Sequence, residues 1–146
     1  MEQKPVDAIR AFNRFYTNII GLLDRRLLRS TFSLPEARVL YELYHHKGLL
    51  AGDIVSTLNM DKSYLSRMLD QFSRKQLITR NRSTADARAV HIFLTVKGKK
   101  EAEALGRDSN KQIAGILASL PEKQTERLVY HMQEIQKILG GGMVDQ

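Results

Sequence analysis

At 146 residues, with 42% hydrophobic and 27% charged residues, the chain has the size and composition of one globular domain, long enough to bury a core and too apolar for wholesale disorder. Its formal charge is +7 and it has no cysteine, which excludes a disulfide framework, a thiolate metal site and cysteine-based oxidant sensing. No apolar run reaches bilayer-spanning length and Met1–Pro5 is polar, so a cytoplasmic chain without membrane contact is expected.

Val6, Ile9, Phe12, Tyr16, Ile19, Leu23 and Leu27 recur at three- and four-residue steps and predict a helix from Val6 to about Arg29. Ser33-Leu34-Pro35-Glu36 opens a second: Ser33 is the N-cap, Pro35 suits the first turn, and Glu36 completes a capping box. This helix runs through Leu40 and Leu43 to His45-His46-Lys47-Gly48, where Gly48 can adopt the left-handed exit conformation. A short helix follows from about Ala51 to Leu58. Asn59-Met60 is a tight turn, and Asp61 caps a helix reaching about Lys75 with Leu65, Met68, Leu69 and Phe72 on its apolar face.

Leu77–Arg80 and Val90–Leu94 have strand character, and the polar stretch Asn81–Arg88 between them predicts a hairpin with a basic tip. Thr95 caps a long helix from near Lys97 to about Leu120. Pro121 interrupts, and a last helix from about Glu122 to Leu139 carries Leu128, Met132, Ile135 and Leu139 on one face before Gly140-Gly141-Gly142. The fold class is therefore mainly α with a small β-hairpin wing, a winged helix-turn-helix over residues 33–98 within a single domain of residues 1–146. The flanking helices, residues 5–30 and 99–139, exceed what that lobe needs to cover its own core. A second copy of the chain is the expected partner for their apolar faces.

The charge is not spread evenly. Between Asp61 and Lys100 stand ten Lys and Arg against three Asp, a surplus of seven that equals the surplus of the whole chain. A neutral body with one basic segment is the pattern of a phosphate-binding surface; a solvated helix face is the plainer alternative. On the helix after Asp61, the residues opposite the apolar face are Lys62, Ser63, Tyr64, Ser66, Arg67 and Arg74. Arg67 can donate a bidentate pair to guanine, the serines are adaptable donors and acceptors, and the helix N-terminus adds partial positive charge beside phosphate. The hairpin tip carries Arg80, Arg82 and Arg88, with Asp86 two residues before Arg88. A carboxylate there opposes DNA binding unless it positions a guanidinium; a plain surface ion pair is the alternative. Arginine on a narrow wing suits the minor groove.

No metal site or cofactor is expected: His45 and His46 are adjacent and lack the i, i+4 spacing of a helical chelate. No glycine-rich phosphate loop or nucleophile elbow is present, and Asp53 with Glu42 is a carboxylate pair of the sort any chain offers. An enzyme is not expected.

The run Asp86-Ala87-Arg88-Ala89-Val90-His91-Ile92-Phe93-Leu94-Thr95-Val96-Lys97-Gly98 resembles the wing signature of the multiple-antibiotic-resistance regulator (MarR) family, an Asp-x-Arg followed by a strand and Leu-Thr-x-x-Gly. Asp61–Arg67 resembles that family's recognition-helix start, and Ser33–Leu40 its second helix. The resemblance implies a homodimer on a pseudo-palindromic DNA duplex, usually a repressor, with a small aromatic or anionic effector in a crevice between the two lobes. It places a minor-groove contact on Arg88 and gives Asp86 the role of holding that arginine. Phe12, Phe15 and Tyr16 on the first helix, with Tyr41, Tyr44 and His45 on the second, are the aromatic candidates for the crevice; core and interface packing is the alternative. Two other readings stand beside this one. The chain is the DNA-binding half of a regulator coupled to an acetyltransferase, for which an end at Gln146 leaves no room, or it is a winged helix used for protein–protein contact.

Overall fold

In a computed structural model, described for residues 3–27, 31–86 and 88–140, the chain is mainly helical with one small antiparallel sheet. Backbone contacts divide it into two compact units, Met1–Asp108 and Ser109–Gln146. No helix among the described residues is long and apolar enough to cross a membrane.

Helix α1 spans Gln3–Leu27. It starts three residues before the expected Val6, because Pro5 falls in the first turn, where no backbone N–H is needed. Its expected end at Arg29 lies outside the described residues. Helix α2, Leu34–His45, begins with the predicted capping box: the Glu36 N–H donates to Ser33 Oγ at 3.3 Å and the Ser33 N–H to Glu36 Oε1 at 3.0 Å. It ends at an extended His46, and Gly48, at φ 74°, turns the chain into a strand absent from the sequence reading. This strand, β1 (Leu49–Leu50), is held where the His91 Nδ1–H donates to the Gly48 carbonyl at 2.8 Å.

Helix α3, Ala51–Leu58, follows at once. Asp53 accepts the Leu50 N–H at 2.9 Å, and Asn59 closes the helix in the left-handed conformation. Helix α4, Lys62–Arg74, buries the four residues expected to face inward, Leu65, Met68, Leu69 and Phe72. Strands β2 (Ile78–Arg82) and β3 (Val90–Leu94) form the hairpin, with Ile78 opposite Leu94 and Arg82 opposite Val90. β1 pairs with the other edge of β3, giving the sheet order β1-β3-β2. The core joins Phe32 and the inner faces of α2, α3 and α4 to Leu77, Ile78 and Ile92, with Leu105 from the next helix.

That helix is α5, Val96–Ala118, and its first turn is clasped to the turn after α4. The Thr95 N–H donates to the Leu77 carbonyl at 2.9 Å, Thr95 Oγ1 to the Gln76 carbonyl at 2.7 Å and Lys97 Nζ to the Lys75 carbonyl at 2.9 Å. Thr95 Oγ1 also accepts the Gly98 N–H at 3.0 Å, capping α5. A Cβ at position 98 would overlap the Leu77 carbonyl oxygen, so only glycine permits this approach. The spacing Leu-Thr-x-x-Gly thus has a physical content: threonine ties two elements and glycine lets them touch.

In the second unit, helix α6, Glu122–Gly140, buries none of its residues, and Ile138 and Leu139 are 75% and 71% exposed.

Candidate nucleic-acid interface

The outward side of α4 is a single stripe. Ser63, Ser66, Arg67, Asp70 and Arg74 recur at three- and four-residue steps opposite the buried Leu65, Met68, Leu69 and Phe72, and all five are exposed. Burial of one face therefore fixes which residues look outward. Lys62 and Tyr64 flank the stripe at the N-terminal end, where the Tyr64 N–H donates to Asp61 Oδ2 at 2.8 Å. With this cap in place the remaining first-turn N–H groups and the helix dipole present positive potential beside Lys62, Ser63, Ser66 and Arg67.

The hairpin supplies the second group of cations. Alternation along β2 puts Ile78, Arg80 and Arg82 on one side; Ile78 enters the core, and Arg80 reaches back to α4. Its Nη2 donates to Asp70 Oδ1 at 3.0 Å. Arg80 is thus a brace between wing and helix rather than the tip cation suggested by its sequence position. At the tip, the Ala85 and Asp86 N–H groups donate to Ser83 Oγ at 3.2 and 3.4 Å, and the Ser83 N–H donates to the Ala89 carbonyl at 2.9 Å.

Asp86 does not do what its spacing suggested. Its Oδ1 accepts the backbone N–H of Arg88 at 3.0 Å, an Asx-type turn, so it shapes the main chain under the arginine and leaves the guanidinium outward. Short local geometry favours this bond, since a carboxylate reaches an N–H two residues on without ordering a long side chain. All three acids of the basic segment are consequently engaged in geometry: Asp61 caps the helix, Asp70 holds Arg80, and Asp86 turns the tip. Among the described residues, Lys62, Arg67, Arg74, Arg82 and Arg88 enter no salt bridge and remain exposed.

The six aromatic candidates separate. Phe12 and Tyr16 stack on each other at 5.6 Å between ring centroids, and Tyr41 packs on His45 at 4.1 Å. A cleft of about 570 Å³ in the first unit is lined instead by Leu43, Tyr44, Lys47, Phe93, Leu94, Lys99 and Glu103. Of the six, only Tyr44 lines it. There the Tyr44 hydroxyl donates to Glu103 Oε1 at 3.2 Å, and the adjacent carboxylate raises the phenol above its ordinary value, by charge first and by the hydrogen bond second. The spacing of α2 alone shows none of this, because half of the cleft comes from β3 and α5.

Residues 32–90 match the MarR family. The HTH-type transcriptional regulator MgrA of Staphylococcus aureus is 28% identical over 124 residues, 84% of this chain and 80% of that protein. The uncharacterized HTH-type transcriptional regulator YdgJ of Bacillus subtilis is 24% identical over 87 residues, 60% of this chain, and the match spans about half of that relative, 53%. Among solved structures, the S. aureus MepR–DNA complex superposes with a TM-score of 0.73 at 24% identity over 89% of this chain and 96% of that one. This last likeness establishes the fold.

Proposed function

We propose that the chain, whose residues 32–90 match the MarR family, is a member of that family and a homodimeric transcriptional regulator that reads a pseudo-palindromic operator in double-stranded DNA. It acts in the cytoplasm as a repressor, is released by a small aromatic or anionic effector, and catalyses no reaction. The observation that carries the reading is the division of α4 and the hairpin. Their apolar sides are buried in one core while their outward sides hold Lys62, Arg67, Arg74, Arg82 and Arg88, exposed and, among the described residues, outside any salt bridge. Such a surface attracts a polyanion and presents side chains that distinguish base edges.

In this scheme α4 enters the major groove N-terminus first. Arg67, with Ser63 and Ser66, contacts bases; Lys62, Tyr64 and Arg74 contact the backbone; Arg82 and Arg88 follow the neighbouring minor groove. The exposed apolar residues of α6, among them Met132, Ile135 and Ile138, supply the seam between copies, which sets half-sites about one helical turn apart. The 570 Å³ cleft, with Lys47 and Lys99 beside Leu43 and Phe93, offers an effector both charge and apolar cover, which the ring pairs Phe12–Tyr16 and Tyr41–His45 do not.

Gel-shift titration with a random-sequence duplex at two salt concentrations tests the reading. Binding that weakens steeply with salt is expected, followed by enrichment of a palindromic site from a randomised pool. A protein-contact module would bind neither duplex. Release of the enriched duplex by small carboxylates, screened in the same format, tests the effector.

A further inference from the structure

Asp70 is the only acid on α4, and it sits near the middle of the outward stripe between Arg67 and Arg74. A carboxylate there, pointed at a polyanion, opposes binding. The fold answers this with Arg80, which comes from the neighbouring strand, ten residues on, at 3.0 Å. Neither side chain is buried, 51% and 36% exposed, so the pair adds little to stability. Its effect is geometric. It ties the two elements that face DNA, and a guanidinium whose charge is offset and whose position is held by a carboxylate is drawn less to a phosphate.

We propose that Asp70 and Arg80 are positioning residues that determine specificity: the pair sets the wing against the reading helix and keeps Arg80 out of indiscriminate phosphate contact. The proposal deepens the DNA-binding reading and rests on it. The surface then carries its loose cations only where Lys62, Arg67, Arg74, Arg82 and Arg88 place them.

The test compares the wild type with Asp70→Asn, Arg80→Gln and the charge reversal Asp70→Arg with Arg80→Asp. Affinities are measured for a duplex enriched from a randomised pool and for a random-sequence duplex, across a salt series. Asp70→Asn is expected to bind the random duplex more tightly, with a salt slope steeper by about 0.9 as Arg80 joins the phosphate contacts. Its ratio of enriched to random affinity is expected to fall by up to about five-fold. Arg80→Gln lowers the ratio without steepening the slope, and the reversal, with unchanged net charge, restores most of it. Equal strengthening on both duplexes by Asp70→Asn, with the ratio kept, overturns the proposal and makes Asp70 an ordinary surface charge. Altered preference at one base pair in Asp70→Asn, with Arg80→Gln indistinguishable from wild type, overturns it in favour of direct base reading by Asp70. A wild-type protein that binds neither duplex overturns the DNA-binding reading itself.

Discussion

The winged-helix lobe and the last helix use the same apolar vocabulary to opposite ends. In α4 the residues at helical spacing, Leu65, Met68, Leu69 and Phe72, are all buried, Phe72 fully. In α6 the same periodicity leaves Met132, Ile135 and Leu139 exposed, and no residue is buried. One pattern is satisfied within a single chain and the other is not. Periodicity reports that a face is to be covered; what covers it is a separate question, answered here by α2, α3 and the sheet for α4 and, on our proposal, by a second copy for α6.

The most severe way to break this contrast is to charge the α6 face. Leu128→Asp with Ile135→Asp is expected to give a folded monomer that no longer binds an enriched duplex, because a carboxylate in an apolar seam has no partner. Sedimentation that still shows a dimer sinks the assignment of the seam. The converse change attacks the lobe. Phe72→Ala leaves a cavity under α4 and is expected to cost about 3–5 kcal/mol of unfolding free energy in denaturant titration. An unchanged midpoint at the same slope would mean that the lobe repacks without it.

A finer cut distinguishes reading from positioning within the lobe. Arg67→Ala is expected to cost about 1–3 kcal/mol on the enriched duplex and to relax one base position, whereas Arg74→Ala weakens all duplexes alike. Equal losses on both duplexes for Arg67→Ala would remove its reading role. Asp86 gives a smaller effect with a sharper sign. Asn retains an acceptor for the Arg88 N–H, so Asp86→Asn is expected to bind the enriched duplex nearly as wild type, while Asp86→Ala weakens it about five-fold, the worth of roughly 1 kcal/mol of turn geometry. A guanidinium clamp would reverse the first result, because Asn carries no charge. The smallest effect is spectroscopic. Tyr44 is held protonated by Glu103, so in an alkaline absorbance titration one phenol should ionise above the ordinary tyrosine range. Glu103→Gln is expected to return it to that range, and an unchanged titration curve would discard the pairing.

What is legible in the sequence has a local cause. The Ser33 and Asp61 caps lie within one turn, the buried face of α4 within one helix, and the hairpin joins two strands adjacent in sequence. Features conferred from distant parts of the chain are not legible there. Leu49 and Leu50 form a strand only because β3 offers Ile92 and His91 as partners, and two residues carry no period of their own. The role of Arg80 is hidden in the sequence because its partner Asp70 lies on another element. Asp-x-Arg spacing names the neighbour of Asp86 but not the atom, since it serves a backbone N–H as readily as a guanidinium. The cleft needed three elements to exist, and α2 alone suggested the neighbouring rings Tyr41 and His45 in place of Tyr44.

The clasp between Thr95, Gly98 and the turn at Gln76-Leu77 has a mechanical meaning. The link from the hairpin to α5 is a single residue, Thr95, bonded at both its amide and its hydroxyl, and glycine brings the helix into contact with the carbonyl it must follow. A joint of this kind has no slack. A few degrees of rotation in the opening turns of α5 are delivered to the root of β3 and the end of α4 together, as through a keyed shaft, where a flexible loop would absorb them. The same stiffness makes position 98 intolerant of the smallest enlargement, because an added methyl group acts as a wedge in the joint and throws the wing and α4 out of alignment at once.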